Sequence, residues 1–309
     1  MPTGVVIRLD TASCIARCEG RDVRCAFPGK WRLSRRHQTR PIAVGDRVQL
    51  ALQPTGEGVL EGIEPRRGGK LSRKAAGNRD VEQVVAANVD QLVIVAAAAK
   101  PPLNRGLLDR LAVSAEHGDL DAVVCLNKID LAQPGEFEGL LAVYRRLGYT
   151  ALATSAVRGE GLDELRHVLT DKISVFSGAS GVGKSALLNA MQPGLKLRVG
   201  EVSAATGKGR HTTSAVSLLP LDFGGFVVDT PGVREFALYD LERDELQHCF
   251  PEMRERFGQC RFADCSHTHE PDCAVVAAVH AGGIDPARYE SYCRIYESLP
   301  VPDPARPRR

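Results

Sequence analysis

One stretch limits this chain more than any other: Phe176-Ser177-Gly178-Ala179-Ser180-Gly181-Val182-Gly183-Lys184-Ser185. It follows a β-like run at residues 172–176 and opens a helical run that begins at Ala186. Gly178 and Gly183-Lys184-Ser185 satisfy the G-x-x-x-x-G-K-[ST] pattern of a phosphate-binding loop. The glycines let the backbone curl until successive N–H groups, from Gly178 through Ala179, Ser180, Gly181 and Val182 to Ala186, face phosphate oxygens. The helix N-terminus adds a favourable dipole. In this pattern Lys184 reaches the outer phosphates and the Ser185 hydroxyl ligates Mg²⁺. A glycine-rich turn that matches by accident is the competing reading. A strand before and a helix after argue against it. The expected ligand is a nucleoside triphosphate, held unusually late in the chain.

The chain has 309 residues, enough for two or three domains, and its 43% apolar content can bury real cores. Its net charge of +2 hides an asymmetry. Residues 1–80 hold 16 Lys+Arg against 8 Asp+Glu, whereas residues 81–170 hold 8 against 12. A basic first quarter suggests a polyanion-binding module, although a merely solvated basic surface reads the same way. The longest apolar run, residues 92–99, is too short to span a bilayer. No signal peptide is visible at residues 1–10. A cytoplasmic location is expected, where nine cysteines stay largely reduced and a local cluster of them reads as metal-binding.

Residues 4–9, 13–18, 23–27, 46–52 and 58–63 read as short strands separated by turn signals. Five strands in so few residues predict a small closed barrel of the oligonucleotide-binding (OB-fold) kind over residues 1–70. Its basic loop at residues 30–37 carries the single Trp31, with Arg40 close behind, and suits RNA. A buried Trp31 serving the barrel is the alternative. Residues 65–74 are basic and glycine-rich and read as a mobile tether, placing a linker at residues 71–87. From residue 88 strands (91–98, 122–126, 149–153) alternate with helices (104–117, 136–148, 162–170), which predicts a parallel sheet covered on both faces. The phosphate-loop strand and helix continue that series, and two further strands, 215–219 and 225–229, complete a domain spanning residues 88–238.

Three more motifs come directly after predicted strands. Asp229-Thr230-Pro231-Gly232 fits the magnesium- and phosphate-sensing D-x-x-G, with Asp229 and Gly232 as its fixed members. Asn127-Lys128-Ile129-Asp130 fits N-K-x-D, in which one carboxylate accepts the paired N1–H and N2–H₂ donors that only guanine presents. Thr154-Ser155-Ala156 fits the loop whose backbone N–H meets guanine O6, so Ser155 and Ala156 join the base site. Each motif alone is weak; four, each after its own strand, point to GTP. Their order is rotated, with the base-reading loops first and the phosphate loop, a switch near residues 194–214 and D-x-x-G after them. The fold class is therefore multidomain: an N-terminal OB-fold β-barrel, a central circularly permuted α/β P-loop GTPase domain, and a third unit attached behind the switch.

That third unit, residues 239–309, contains Cys260-x₄-Cys265-x-His267-x₅-Cys273. Three thiolates and one imidazole can close a tetrahedral structural zinc site. His248, Cys249, His269, His280 and Cys293 stand nearby as alternative ligands. Helices are expected at residues 241–257, 274–280 and 286–297, making a mostly helical zinc-binding domain, and residues 300–309 read as a disordered tail.

The permuted order, Gly209-Arg210-His211-Thr212-Thr213, Asp229-Thr230-Pro231-Gly232-Val233-Arg234-Glu235-Phe236 and the Cys₃His spacing closely resemble the bacterial ribosome small subunit-dependent GTPase A (RsgA) family over nearly the whole chain. That resemblance implies a late-acting assembly factor for the small ribosomal subunit. It implies slow GTP hydrolysis to GDP alone, faster hydrolysis on the subunit, and contacts with 16S rRNA. One zinc, Mg²⁺ with GTP, no membrane partner and a monomeric state go with it. Val233 stands where many GTPases place a water-orienting glutamine, so slow intrinsic turnover is expected. Thr212 or Thr213 is expected to complete the metal shell. His211 is the candidate for orienting water; an rRNA contact or a packing role is the alternative. An RNA-binding adaptor that keeps GTP only as a structural ligand is the competing function.

Overall fold

The structure is a computed structural model and describes residues 2–10, 13–28, 42–75, 78–195, 216–229 and 241–301. Trp31, the basic loop 30–37 and Arg40 lie outside the described residues. So do the switch residues 196–215 with His211, Thr212 and Thr213, then Gly232, Val233 and residues 302–309.

Five strands form the N-terminal unit: β1 (Thr3–Leu9), β2 (Ser13–Cys18), β3 (Arg21–Ala26), β4 (Arg47–Leu52) and β5 (Gly58–Ile63). They run in the order β1-β2-β3-β5-β4, and pairing of Thr3, Gly4 and Val5 with Gln49, Val48 and Arg47 closes the ring. The alternation along β2 turns Cys14, Ala16 and Cys18 inward, where Val6, Val48, Leu50 and Leu60 complete the core. This is the expected five-stranded barrel.

The tether did not materialise. Residues 69–75 and 78–89 pair as an antiparallel ribbon, β6 (Gly69–Ala75) with β7 (Asn78–Val89). Gly69 is there for lack of space, since a Cβ would lie 2.2 Å from Leu120 Cδ2 and 2.7 Å from the Gly118 carbonyl oxygen. The far end of β7 seals the barrel to the next domain: Ala87 N–H donates to the Val44 carbonyl at 2.8 Å, and Ala86, Ala87 and Val89 are buried. Below it Arg66 grips the buried Asp46 through both carboxylate oxygens, at 2.7 and 2.9 Å.

The central sheet contains β8 (Gln91–Ala97), β9 (Asp121–Asn127), β10 (Thr150–Ala153), β11 (Ile173–Ser177), β12 (Ser217–Pro220) and β13 (Phe226–Asp229), ordered β10-β9-β8-β11-β13-β12. All are parallel except β12. Four helices cover it: α1 (Arg105–His117), α2 (Glu138–Arg146), α3 (Leu162–Leu169) and α4 (Lys184–Met191). Every residue of β8 is buried, as a central parallel strand requires. Its alternate residues serve opposite faces: Leu92, Ile94 and Ala96 meet α1 and α2, while Val93, Val95 and Ala97 meet α3 and α4. The chain runs outward one way from β8 and the other way from β11. The crevice at the carboxyl ends of these two neighbours is where such sheets bind ligands. The same sheet continues into the barrel, because Arg8 of β1 pairs with Ser217 of β12.

The helix expected over residues 241–257 is broken. A short tight helical turn, Leu246–Cys249, precedes α5 (Pro251–Arg254), and Phe250 is held extended by the proline next to it. After the cysteine cluster come α6 (Ala274–His280) and α7 (Pro286–Ser298). Their core is Leu246, Phe250, Met253, Val275, Tyr292 and Ile295, and Val113 of α1 belongs to it too. Along α1, Arg105, Asp109, Val113 and Glu116 share a face that meets this module. Arg105 pairs with Asp285 at 3.0 Å, Asp109 with Arg288 at 2.8 Å, and Glu116 with Arg254. The module thus comes after the switch in sequence but sits on α1 in space. Among the described residues no helix is long and apolar enough to cross a membrane.

Candidate functional site: the nucleotide crevice and the cysteine cluster

The phosphate loop leaves β11 and enters α4 at Lys184, as its spacing demands. Gly178 holds φ +143, and a Cβ there would sit 2.0 Å from the Val95 carbonyl oxygen. Gly183 holds φ +101, and its Cβ would strike Asn127 Nδ2 at 2.3 Å. Both positions exclude side chains by conformation and by contact. Ala179, Ser180, Gly181 and Val182 form the arc between them, and Ser185 and Ala186 are half-buried in the first helical turn. The Lys184 ammonium folds onto the loop, donating to the carbonyls of Gly178 at 2.8 Å and Ala179 at 3.0 Å. Burial pushes its pKa down, a cost that an anion in the loop relieves. Asp229 ends β13, the neighbour of β11, and burial pushes its carboxyl up.

Asn127, at the end of β9 and 1% exposed, ties the loops together. Its Nδ2 donates to the Val182 carbonyl of the phosphate loop at 2.9 Å. Its Oδ1 accepts from Ala156 N–H at 3.2 Å and from Thr154 Oγ1 at 3.4 Å. Ala156 N–H, the donor expected at guanine O6, therefore faces Asn127 here through a long contact. Ser155 Oγ donates to Asp130 Oδ1 at 2.6 Å and accepts from Arg158 N–H at 3.1 Å, orienting the carboxylate expected to read the base. Lys128 adopts φ +64, Ile129 begins a tight helical turn, and Ile129 N–H bonds the Thr154 carbonyl at 3.2 Å. The Lys128 ammonium donates to the carbonyl of Lys100 in the β8–α1 loop. That contact had no signal in the sequence, because a main-chain oxygen can belong to any residue. The crevice thus unites Gly178–Ser185, Asn127–Asp130, Ser155–Ala156 and Asp229, which lie far apart in sequence.

In the C-terminal module Cys260, Cys265, His267 and Cys273 bring their ligand atoms within 4.8 Å of one another. His267 Nδ1 lies 3.5 Å from Cys260 Sγ and 3.4 Å from Cys273 Sγ, and the two sulfurs are 3.9 Å apart. Tetrahedral zinc with ordinary bond lengths needs about 3.5 Å between N and S and about 3.8 Å between two S. Cys260, His267 and Cys273 match that spacing, and Cys265 lies close enough to supply the fourth ligand. His267 Nε2 meets Gln247 Oε1 at 3.0 Å, which leaves Nδ1 for the sulfurs, and Ala274 N–H donates to Cys260 Sγ at 3.4 Å. His248, Cys249, His269, His280 and Cys293 stay outside the cluster. Gln247 was not foreseen, since nothing in its spacing marks it as a partner of His267.

Residues 63–239 match the family model described as RsgA GTPase. The small ribosomal subunit biogenesis GTPase RsgA of Caldanaerobacter subterraneus subsp. tengcongensis is 45% identical over 277 residues, covering 90% of this chain and 88% of that protein. Its namesake from Gemmatimonas aurantiaca is 46% identical over 265 residues, covering 85% and 86%. Among solved structures, YjeQ from Thermotoga maritima superposes with a TM-score of 0.80 at 37% identity, covering 96% of this chain and 98% of that one. YloQ, described as a circularly permuted GTPase, gives 0.76 at 30% identity, covering 97% and 95%. With its strands in rotated order and its base and phosphate loops joined through Asn127, the chain belongs to the RsgA GTPase family.

Proposed function

We propose that this protein hydrolyses GTP to GDP and phosphate in step with late maturation of the small ribosomal subunit, and that the subunit accelerates the reaction. The observation that supports this most is the Asn127 junction, which ties the loops at 127–130, 154–156 and 178–185 together. Asp130, oriented by Ser155, accepts the two adjacent donors of guanine, and the Lys128 stem lies along the base. The loop amides and Lys184 hold the outer phosphates. Ser185 and Asp229 hold magnesium, which neutralises phosphate charge when bound. Val233 cannot orient water, so the chain works slowly alone. His211 takes that role on the subunit, and Thr212 or Thr213 approaches the metal. Cys260, Cys265, His267 and Cys273 hold one structural zinc. The barrel and the zinc module grip 16S rRNA from two sides, in the cytoplasm, with the protein acting as a monomer.

Measuring GTP hydrolysis with and without small subunits tests the reading. Stimulation is expected; its absence leaves the adaptor that binds GTP without using its hydrolysis. His211→Ala should lose the stimulated kcat with little change in nucleotide affinity. Retention of full stimulated kcat removes His211 from the chemistry.

A further inference from the structure

Among the described residues the large apolar side chains left exposed are Leu52, Leu131, Val157, Phe262 and Val301, and Phe262 is the one aromatic. The rest of the C-terminal module uses its aromatics internally: Phe250 stacks edge-on against Tyr292 at 5.3 Å, and Tyr292 lies 6.1 Å from Tyr296. Phe262 is 41% exposed in the short loop between Cys260 and Cys265. That loop is pinned at both ends by cluster residues, and by a turn in which Cys265 N–H donates to the Phe262 carbonyl at 3.3 Å. Beside the ring, the Arg261 guanidinium carbon lies 5.6 Å from its centroid. Arg261 is itself steadied by Asp272, through a side-chain contact of 3.1 Å and a main-chain bond of 3.4 Å, while its side chain stays 63% exposed.

An exposed ring next to an oriented guanidinium, both on a pinned loop, presents two planar π-type surfaces with little freedom left to lose. Unpaired RNA bases are held on aromatic rings and arginine planes of this kind, and the arginine also meets phosphate. A purely apolar partner has no use for the guanidinium, and a duplex offers no free base face. We propose that Phe262 and Arg261 form a stacking platform for an unpaired base of the small-subunit RNA. This rests on the ribosomal reading above and gives it an address in the C-terminal module.

The test uses full-length protein with a non-hydrolysable GTP analogue and isolated small subunits. Phe262→Ala, Phe262→Leu and Phe262→Trp are compared for subunit affinity, zinc content and basal hydrolysis. Zinc content and basal hydrolysis should match wild type in all three. Alanine and leucine should both weaken subunit binding, roughly five- to a hundredfold for one lost stack, while tryptophan preserves it. Ultraviolet cross-linking of the Phe262→Trp protein should map residue 262 to a nucleotide. Leucine binding as well as phenylalanine, or a cross-link to a ribosomal protein, would mean an apolar protein contact and overturn the platform. Alanine binding at wild-type affinity, with stimulation of the wild type intact, overturns this inference alone. A wild type that neither binds nor is stimulated by subunits overturns the ribosomal reading with it.

Discussion

Replacing Arg288 with alanine should loosen the C-terminal module from α1. Arg288 is fully buried, and so is Asp109, whose Oδ1 accepts from Arg288 Nη1 at 2.8 Å. Glu252 takes Nε and Nη2 at 2.7 and 3.2 Å, and the guanidinium lies 4.6 Å from the Phe250 centroid and 5.8 Å from that of Tyr144. Alanine leaves two carboxylates without their cation in a closed interface. Removing one partner of a buried ion pair costs about 3–5 kcal/mol, and the two ring contacts place this site at the upper end. The exposed pair Arg294–Glu290, 64% and 67% exposed, is the control, where loss costs about 0–1 kcal/mol. Thermal unfolding of the zinc-loaded chain, with hydrogen exchange at α1 and α7, reads the difference. A triple replacement, Arg288→Met with Asp109→Leu and Glu252→Leu, should recover most of the loss, since apolar substitutes for a buried triad are often neutral or better. An Arg288→Ala cost no larger than that of Arg294→Ala, or a triple replacement as unstable as the single one, would show that the network does not hold the module.

Gly183→Ala should weaken GTP binding by at least about tenfold, since the new Cβ meets Asn127 Nδ2 at 2.3 Å in a backbone conformation that itself costs an L-residue about 1–3 kcal/mol; wild-type affinity in a fluorescent-nucleotide titration would contradict this. Asp130→Asn should lower GTP affinity about 10- to 150-fold by removing a charged acceptor, and should shift preference toward xanthosine triphosphate, whose C2 carbonyl suits the asparagine amide. Zinc affinity, measured by competition with a chromophoric chelator, should rise from pH 6 to pH 8. Burial pushes the Cys265 thiol up to about 12 in the metal-free cluster, so zinc must displace protons, and fewer protons in solution favour it. A pH-independent affinity would mean that the thiols are already ionised.

Much of the fold was legible because backbone chemistry sets it. The phosphate loop demands glycine at positions 178 and 183 whatever surrounds it, and the fully apolar β8 can only be central. The residues at 65–74 misled because glycine has two uses. Gly69 reads as freedom but marks the place where the ribbon passes against Leu120 and Gly118. The helix expected across residue 250 overlooked the restriction that Pro251 imposes on its predecessor. The docking of the last module was out of reach. Arg105, Asp109 and Glu116 look like the ordinary charges of a surface helix, and their partners Asp285, Arg288 and Arg254 lie well over a hundred residues away.

The pairing of Arg8 with Ser217 also governs how the barrel can be studied. Strand β12 has β13 on one side and the barrel on the other, directly after the switch segment. A chain cut at residue 70 carries a naked sheet edge there, an invitation to self-association of the kind natural proteins guard against. Truncation therefore changes the solution behaviour of the GTPase domain as well as removing the barrel's proposed RNA-binding surface. Charge reversals on the outer face of the barrel, with β1 left in place, separate the two.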